Sequence, residues 1–128
     1  MYKSFGTSST GGNASMVNWI QYEDGDLVNL IKDNGGIPYV KTNLPQLTMI
    51  PETVNRIFGW TLNPIDHSWT CGGSSGGGAA LIASGCSIFG LGNDIGGSVR
   101  IPAAYCNIYG FKGGYKRSSD KGTLYYNR

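Results

Sequence analysis

The first 18 residues are dominated by Ser, Thr, Gly and Asn with no steady apolar period, a pattern that predicts loop. From residue 24 the pattern changes. Leu27, Leu30 and Ile31 recur at helical spacing on one face, Asp24 or Asp26 stands where a helix cap belongs, and Gly35 or Gly36 would end the element. A short apolar run at 37–42 reads as a strand. The same order returns further on, with a small-residue helix at 77–84, a buried strand at 87–91 and another strand at 109–112. No internal repeat is present. Helices alternating with strands predict an α/β fold with a mixed or parallel sheet and flanking helices.

Composition narrows the picture. A chain of 128 residues, 40% of them hydrophobic, fits one small domain with a core. Glycine is the outlier: there are 21, clustered between 72 and 114, which places tight backbone turns around a candidate site. Ten basic and eight acidic side chains leave a net charge of +2 without a run of either sign, so no nucleic-acid partner is expected. The three cysteines, Cys71, Cys86 and Cys106, form no CxxC pair and are odd in number. That argues against a disulfide framework and a metal site, and favours reduced, structural thiols in an intracellular protein. Residues 1–11 lack the basic-then-apolar order of a signal peptide. The uncharged stretch 71–93 is long enough for a membrane span, but its serines and glycines favour loop, helix and strand inside a protein core.

The chemistry concentrates in two glycine-flanked serine turns. Gly72-Gly73-Ser74-Ser75-Gly76-Gly77 and Asp94-Ile95-Gly96-Gly97-Ser98-Val99-Arg100 lie one helix and one strand apart, a spacing that can return Ser98 beside Ser74. Backbone without Cβ approaches a ligand closely, and a serine hydroxyl among free amide N–H groups suits acyl transfer, because attack on a carbonyl creates an oxyanion that needs preorganised donors. Two other readings compete. Gly73-Ser74-Ser75-Gly76-Gly77 satisfies GxSxG, which would make Ser75 the nucleophile, but that fold needs a histidine after the serine, and the one histidine, His67, precedes it. A phosphate-binding loop is opposed by the absence of GK[ST] after these glycines.

Gly72 to Gly77, Ala79-Ala80, Gly90, Gly92, Asp94 to Ser98, Arg100, Pro102-Ala103 and Cys106 fall in register with the signature of the amidase-signature family, which this sequence resembles. Thr42-Asn43-Leu44-Pro45-Gln46, Phe58-Gly59, Thr61 and Asn63-Pro64 look most similar to its fatty acid amide hydrolase branch. The resemblance implies a partial amidase-signature fold over 1–128, with a loop-rich start at 1–23, a best-matching core at 24–119 and a tail at 120–128. It implies Ser98 as nucleophile, and Ser74, following a cis peptide bond, as the serine that relays its proton. The amides of Ile95, Gly96, Gly97 and Ser98 would form the oxyanion hole, Asp94 and Arg100 would hold that loop as an ion pair, and Ser75 would support the network. Thr48 and Ile50 match positions near a substrate channel. No cofactor is implied.

The family also uses a lysine base, whose matching position lies before residue 1. Neither Lys3, which lacks a preceding apolar strand, nor Lys32, inside the first helix, is assigned that role. Asn107 stands where glycine is usual, and Lys112-Gly113-Gly114 replaces a Lys-Pro-Thr-like turn. Trp60, Trp69, Tyr125 and Tyr126 are either pocket aromatics, core or, at a broken chain end, exposed remnants. The expected function is cleavage of a carboxamide C–N bond, with a lipophilic acyl amide as substrate, through an acyl-serine at Ser98. The alternatives are an inactive truncated copy and a small-ligand binding module. An incomplete sheet would expose apolar faces, so a homodimer or another partner chain is expected to cover them.

Overall fold

The computed structural model describes residues 1–123, in two compact units: residues 1–10, 14–41 and 113–123 form one, residues 11–13 and 42–112 the other. Tyr125 and Tyr126 lie outside the described residues, as does most of the 120–128 tail.

In the first unit, helix α1 spans Asp26–Asp33 and a 3-10 turn spans Ala14–Met16. The helix forms where the pattern predicts it, but its cap differs. Gly25 occupies the cap position and makes no side-chain cap bond. Asp24 instead accepts the Phe5 N–H (2.8 Å) and the Lys32 ammonium (2.6 Å), while Asp26 is the first helical residue and accepts the Ser119 hydroxyl (2.6 Å). Tertiary partners thus displace the local cap for both carboxylates. The buried position is Val28, with Leu27 and Ile31 half-buried and Leu30 exposed. Gly35, at φ +81°, ends the helix, and the Gly36 N–H returns to the Ile31 carbonyl at 2.8 Å, so the last carbonyls are satisfied.

In the second unit, strand β1 (Val54–Asn55) pairs antiparallel with β2 (Gly59–Trp60), with Val54 opposite Trp60 and Asn55 opposite Gly59. The Asn55 carboxamide oxygen closes the turn by accepting the Ile57 and Phe58 N–H groups, at 2.9 and 2.8 Å. Helices α2 (Gly76–Ala83) and α3 (Arg100–Tyr105) pack against each other. The apolar core is small: Cys71, Ala79 and Cys106, with Ala80, Ala83 and Ile108 against it. Buried asparagines supplement it. Asn63, 1% exposed, donates to the carbonyls of Thr70 (3.2 Å) and Tyr105 (2.8 Å) and accepts the Ile65 N–H (3.0 Å). All its polar atoms are satisfied, which is the condition for such a residue to be buried without penalty.

The predicted strands are not formed. Residues 37–42, 87–91 and 109–112 run without ladder pairing, and the two-stranded β1–β2 sheet, which the pattern did not reveal, is antiparallel. Nor is 87–91 buried: Ile88 is 93% exposed, and Tyr109 and Phe111 are similarly open. An apolar pattern reports that a segment needs cover, whereas a strand exists only when a neighbour supplies its hydrogen bonds, and the described residues supply none here. The uncharged stretch 71–93 is loop, α2 and a second loop; no helix among the described residues is long and apolar enough to cross a membrane.

Candidate active site

The first serine turn sits between fully buried Cys71 and the start of α2. Gly72 has φ +72°, a conformation that favours glycine, and the Gly73–Ser74 peptide is cis. The backbone here is packed so closely that a Cβ on Gly72 would lie 3.1 Å from Pro102 Cα, in α3, and one on Gly73 would lie 2.4 Å from the Glu52 carbonyl oxygen. Ser74 is 4% exposed and Ser75 half-buried.

The second turn is organised by Asp94, whose side chain is 3% exposed. Its Oδ1 accepts the Gly97 N–H at 2.8 Å and Arg100 Nη2 at 2.9 Å; its Oδ2 accepts the Val99 and Arg100 N–H groups at 3.1 and 3.2 Å and Arg100 Nε at 3.1 Å. The carboxylate therefore grips the guanidinium two-pronged and also satisfies amides at the start of α3, which has no cap of its own. The Arg100 guanidinium, followed by the backbone donors, holds the Asp94 carboxyl well below the usual carboxylate range. Arg100 is half-exposed, so the pair anchors the loop more by geometry than by Coulomb energy.

The two turns meet through their backbones. The Ser75 N–H donates to the Ser98 carbonyl at 3.0 Å. Gly92 lies against both: a Cβ there would be 2.7 Å from Ser75 Oγ and 2.7 Å from Val99 Cγ2. Among the described residues, the hydroxyls of Ser74 and Ser98 have no hydrogen-bond partner, and neither do the N–H groups of Ile95, Gly96 and Ser98. Ile95 is 87% exposed, and a Cβ on Gly96 would meet nothing within 4 Å, so this stretch faces open space. Of the four expected oxyanion donors, Gly97 is the exception, because its N–H is taken by Asp94. Three amides remain available.

Other expected residues stand apart from this constellation. Thr48 closes a 3-10 turn, Gln46–Thr48, and Ile50 is exposed in the following loop, neither with a bond to the serine turns. Lys3 and Lys32 are ion-paired with Glu23 and Asp24, each at 2.6 Å, in the first unit. Trp60 and Trp69 are more than half exposed, so they are not core. His67 lies exposed in the turn between Asp66 and Ser68. All three cysteines are free, and burial pushes the Cys71 thiol up to about 11, which leaves it inert as a nucleophile. No cluster of potential metal ligands occurs among the described residues. Asn107 has φ +56°, a conformation that asparagine tolerates in place of glycine. The sequence reading missed Thr53 and Thr70, whose hydroxyls bond the first turn from up to 23 residues away, and Glu52, whose carboxylate holds Thr70; no local signal marks them.

A family model described as Amidase matches residues 2–128. The acetamidase of Emericella nidulans is 43% identical over 104 residues, covering 79% of this chain and 19% of its own. Two solved structures share the backbone: a glutamyl-tRNA(Gln) amidotransferase component from Thermotoga maritima (TM-score 0.91, 35% identity, 94% of this chain and 27% of that one) and a fatty acid amide hydrolase (TM-score 0.89, 34% identity, 97% and 22%). The chain spans between 19% and 27% of the length of these relatives. Three relatives of different activity match about equally well, so the likeness favours no branch, and the expected preference for the fatty acid amide hydrolase branch is not sustained. The amidase model spans nearly the whole chain, both serine turns included, and on that ground the chain belongs to the amidase family.

Proposed function

We propose that these residues carry the acyl-transfer centre of an amidase that cleaves a carboxamide C–N bond through an acyl-serine at Ser98. The observation that carries this reading is the junction of the two serine turns, Ser75 N–H to Ser98 carbonyl, beside the three unoccupied amides of Ile95, Gly96 and Ser98. Ser98 Oγ attacks the carbonyl carbon, and its proton passes to Ser74 and on to the departing nitrogen. The C–N bond breaks, the amine leaves, and the acyl group remains on Ser98. Water then attacks the ester, releases the acid and restores the hydroxyl. Negative charge on the carbonyl oxygen is met by the amides, each worth about 10²–10³ in rate. The Asp94–Arg100 grip holds those amides in place before substrate arrives, so little reorganisation is needed during reaction. The resemblance implies that a lysine base behind Ser74 takes up the proton before it reaches the departing nitrogen; Lys3 and Lys32 are tied to carboxylates and are not given that role. No cofactor enters any step.

For the acyl group we infer a lipophilic one. Support comes from the sequence resemblance of residues 42–46, 58–59, 61 and 63–64 to lipid-amide hydrolases, while the whole-chain matches favour no branch. A fluorophosphonate probe is expected to label the protein at Ser98, and labelling that survives Ser98→Ala rejects the nucleophile. Competition by a long-chain acyl amide against acetamide then reads the acyl preference, with equal competition rejecting it.

A further inference from the structure

We propose that Thr53 is a positioning residue for the first serine turn: its hydroxyl fixes the segment that presents Ser74 and so sets the reactivity of Ser98. The inference rests on the acyl-transfer reading above.

Thr53 is fully buried. Its Oγ1 donates to the Gly72 carbonyl at 2.8 Å and accepts the Gly76 N–H at 3.0 Å. A hydroxyl has one hydrogen to give and two lone pairs to receive, so both bonds form together. They bracket Gly73, Ser74 and Ser75, which hang between the two tethered ends. The Gly76 amide is among the first four N–H groups of α2, which have no partner inside the helix. Ser75, at the cap position, makes no side-chain cap bond. Thr53 therefore supplies from outside the helix a cap that the local sequence does not provide.

The neighbouring contacts show that the clamp is close-fitting. A Cβ on Gly76 would lie 2.3 Å from Thr53 Oγ1, and one on Gly73 would press on the Glu52 backbone, so residues 52–53 lie flush against the turn. The other half of the Gly72 residue is held too: its N–H donates to Thr70 Oγ1 at 2.9 Å, and that hydroxyl donates to Glu52 Oε2 at 2.5 Å. Both polar groups of Gly72 thus depend on side-chain hydroxyls anchored at 52–53 and 70. From Ser75, one bond carries this placement to the Ser98 backbone.

The test separates the hydroxyl from the methyl. Thr53→Val keeps the shape and removes both bonds; Thr53→Ser keeps both bonds and removes the methyl. Fluorophosphonate labelling of Ser98, measured on folded protein, is expected to slow about tenfold or more in Thr53→Val and to stay within about threefold of wild type in Thr53→Ser, since small misplacements of reacting groups cost factors of this order. Wild-type labelling rates in Thr53→Val, or an equal fall in both variants, overturn the proposal. Should Thr53→Val not fold, Thr53→Cys, of similar size and a weaker donor, takes its place with the same two readings. If wild-type Ser98 is itself unreactive, the acyl-transfer reading fails on its own, and hydrogen exchange at the Gly76 amide decides this inference: exchange about tenfold faster in Thr53→Val than in Thr53→Ser supports it, and equal exchange rejects it.

Discussion

Three consecutive glycines open α2, and alanine at the first two should destabilise the protein while alanine at the third should stabilise it. A Cβ on Gly76 would lie 2.3 Å from Thr53 Oγ1, 2.5 Å from Cys71 Sγ and 2.9 Å from Thr53 Cβ. Nonbonded heavy atoms settle at about 3.5–4.0 Å, so the new methyl is more than an ångström too close to two buried side chains. Overpacking of this kind costs about 1–3 kcal/mol, and pushing Thr53 away also breaks its bond to the Gly76 amide, about 1 kcal/mol more. Gly76→Ala is therefore expected to lose about 3 kcal/mol of stability. At Gly77 the obstacles are backbone, Asn43 N at 2.5 Å and Asn43 O at 2.6 Å, which cannot rotate aside, and a loss of about 2–3 kcal/mol is expected. At Gly78 the nearest atom is Thr42 Oγ1 at 3.6 Å, an ordinary contact. There alanine restricts the unfolded chain and suits a helix better than glycine, so Gly78→Ala should gain about 0.5–1 kcal/mol. Urea unfolding monitored by circular dichroism, with the slope checked for constancy, reads all three. If Gly76→Ala proves as stable as Gly78→Ala, the close approach of 52–53 to the serine turn is wrong.

Two further predictions concern charge. Asp94 is held well below the usual carboxylate range by Arg100 and by backbone donors; its contribution is fully present above the unfolded value of about 3.9 and is lost as pH falls through the folded one. Asp94→Asn should thus be less stable at pH 7 by about 2 kcal/mol and lose less on acidification below pH 4 than wild type, while parallel urea midpoints from pH 7 to 2 would remove the clamp from the account. Lys41 donates to Ser9 Oγ, and burial lowers it from 10.5 to about 8. Between those values the unfolded chain binds more protons, so stability should rise with pH across that window, fully gained above 10.5 and lost as pH falls through 8. Lys41→Met should flatten that rise in unfolding free energy, and an unchanged slope would refute the assignment.

Part of the backbone that forms the candidate site was legible in the residues themselves. Helix α2 appeared within one residue of its predicted start, because small residues between glycine turns have few other options. The two serine turns were visible as glycine clusters, and they meet as the spacing suggested, although of the helix and strand expected between them only the helix forms. Asn107 adopted the positive φ that its replacement of glycine requires. The two carboxylates offered as helix caps show where such reading stops: both Asp24 and Asp26 found better partners far along the chain.

By itself, then, the sequence determined the local conformations: which glycines turn, where small residues form α2, which serines stand among free amides, and which family the chain joins. Tertiary structure decided every question of partnership. It left the apolar runs at 37–42, 87–91 and 109–112 without strand neighbours, gave the Gly97 amide to Asp94, and set Thr53 across the first serine turn. The reason is physical: propensity and periodicity act over a few residues, but each hydrogen bond goes to whichever group packing brings within about 3 Å, and that choice is made between residues distant along the chain.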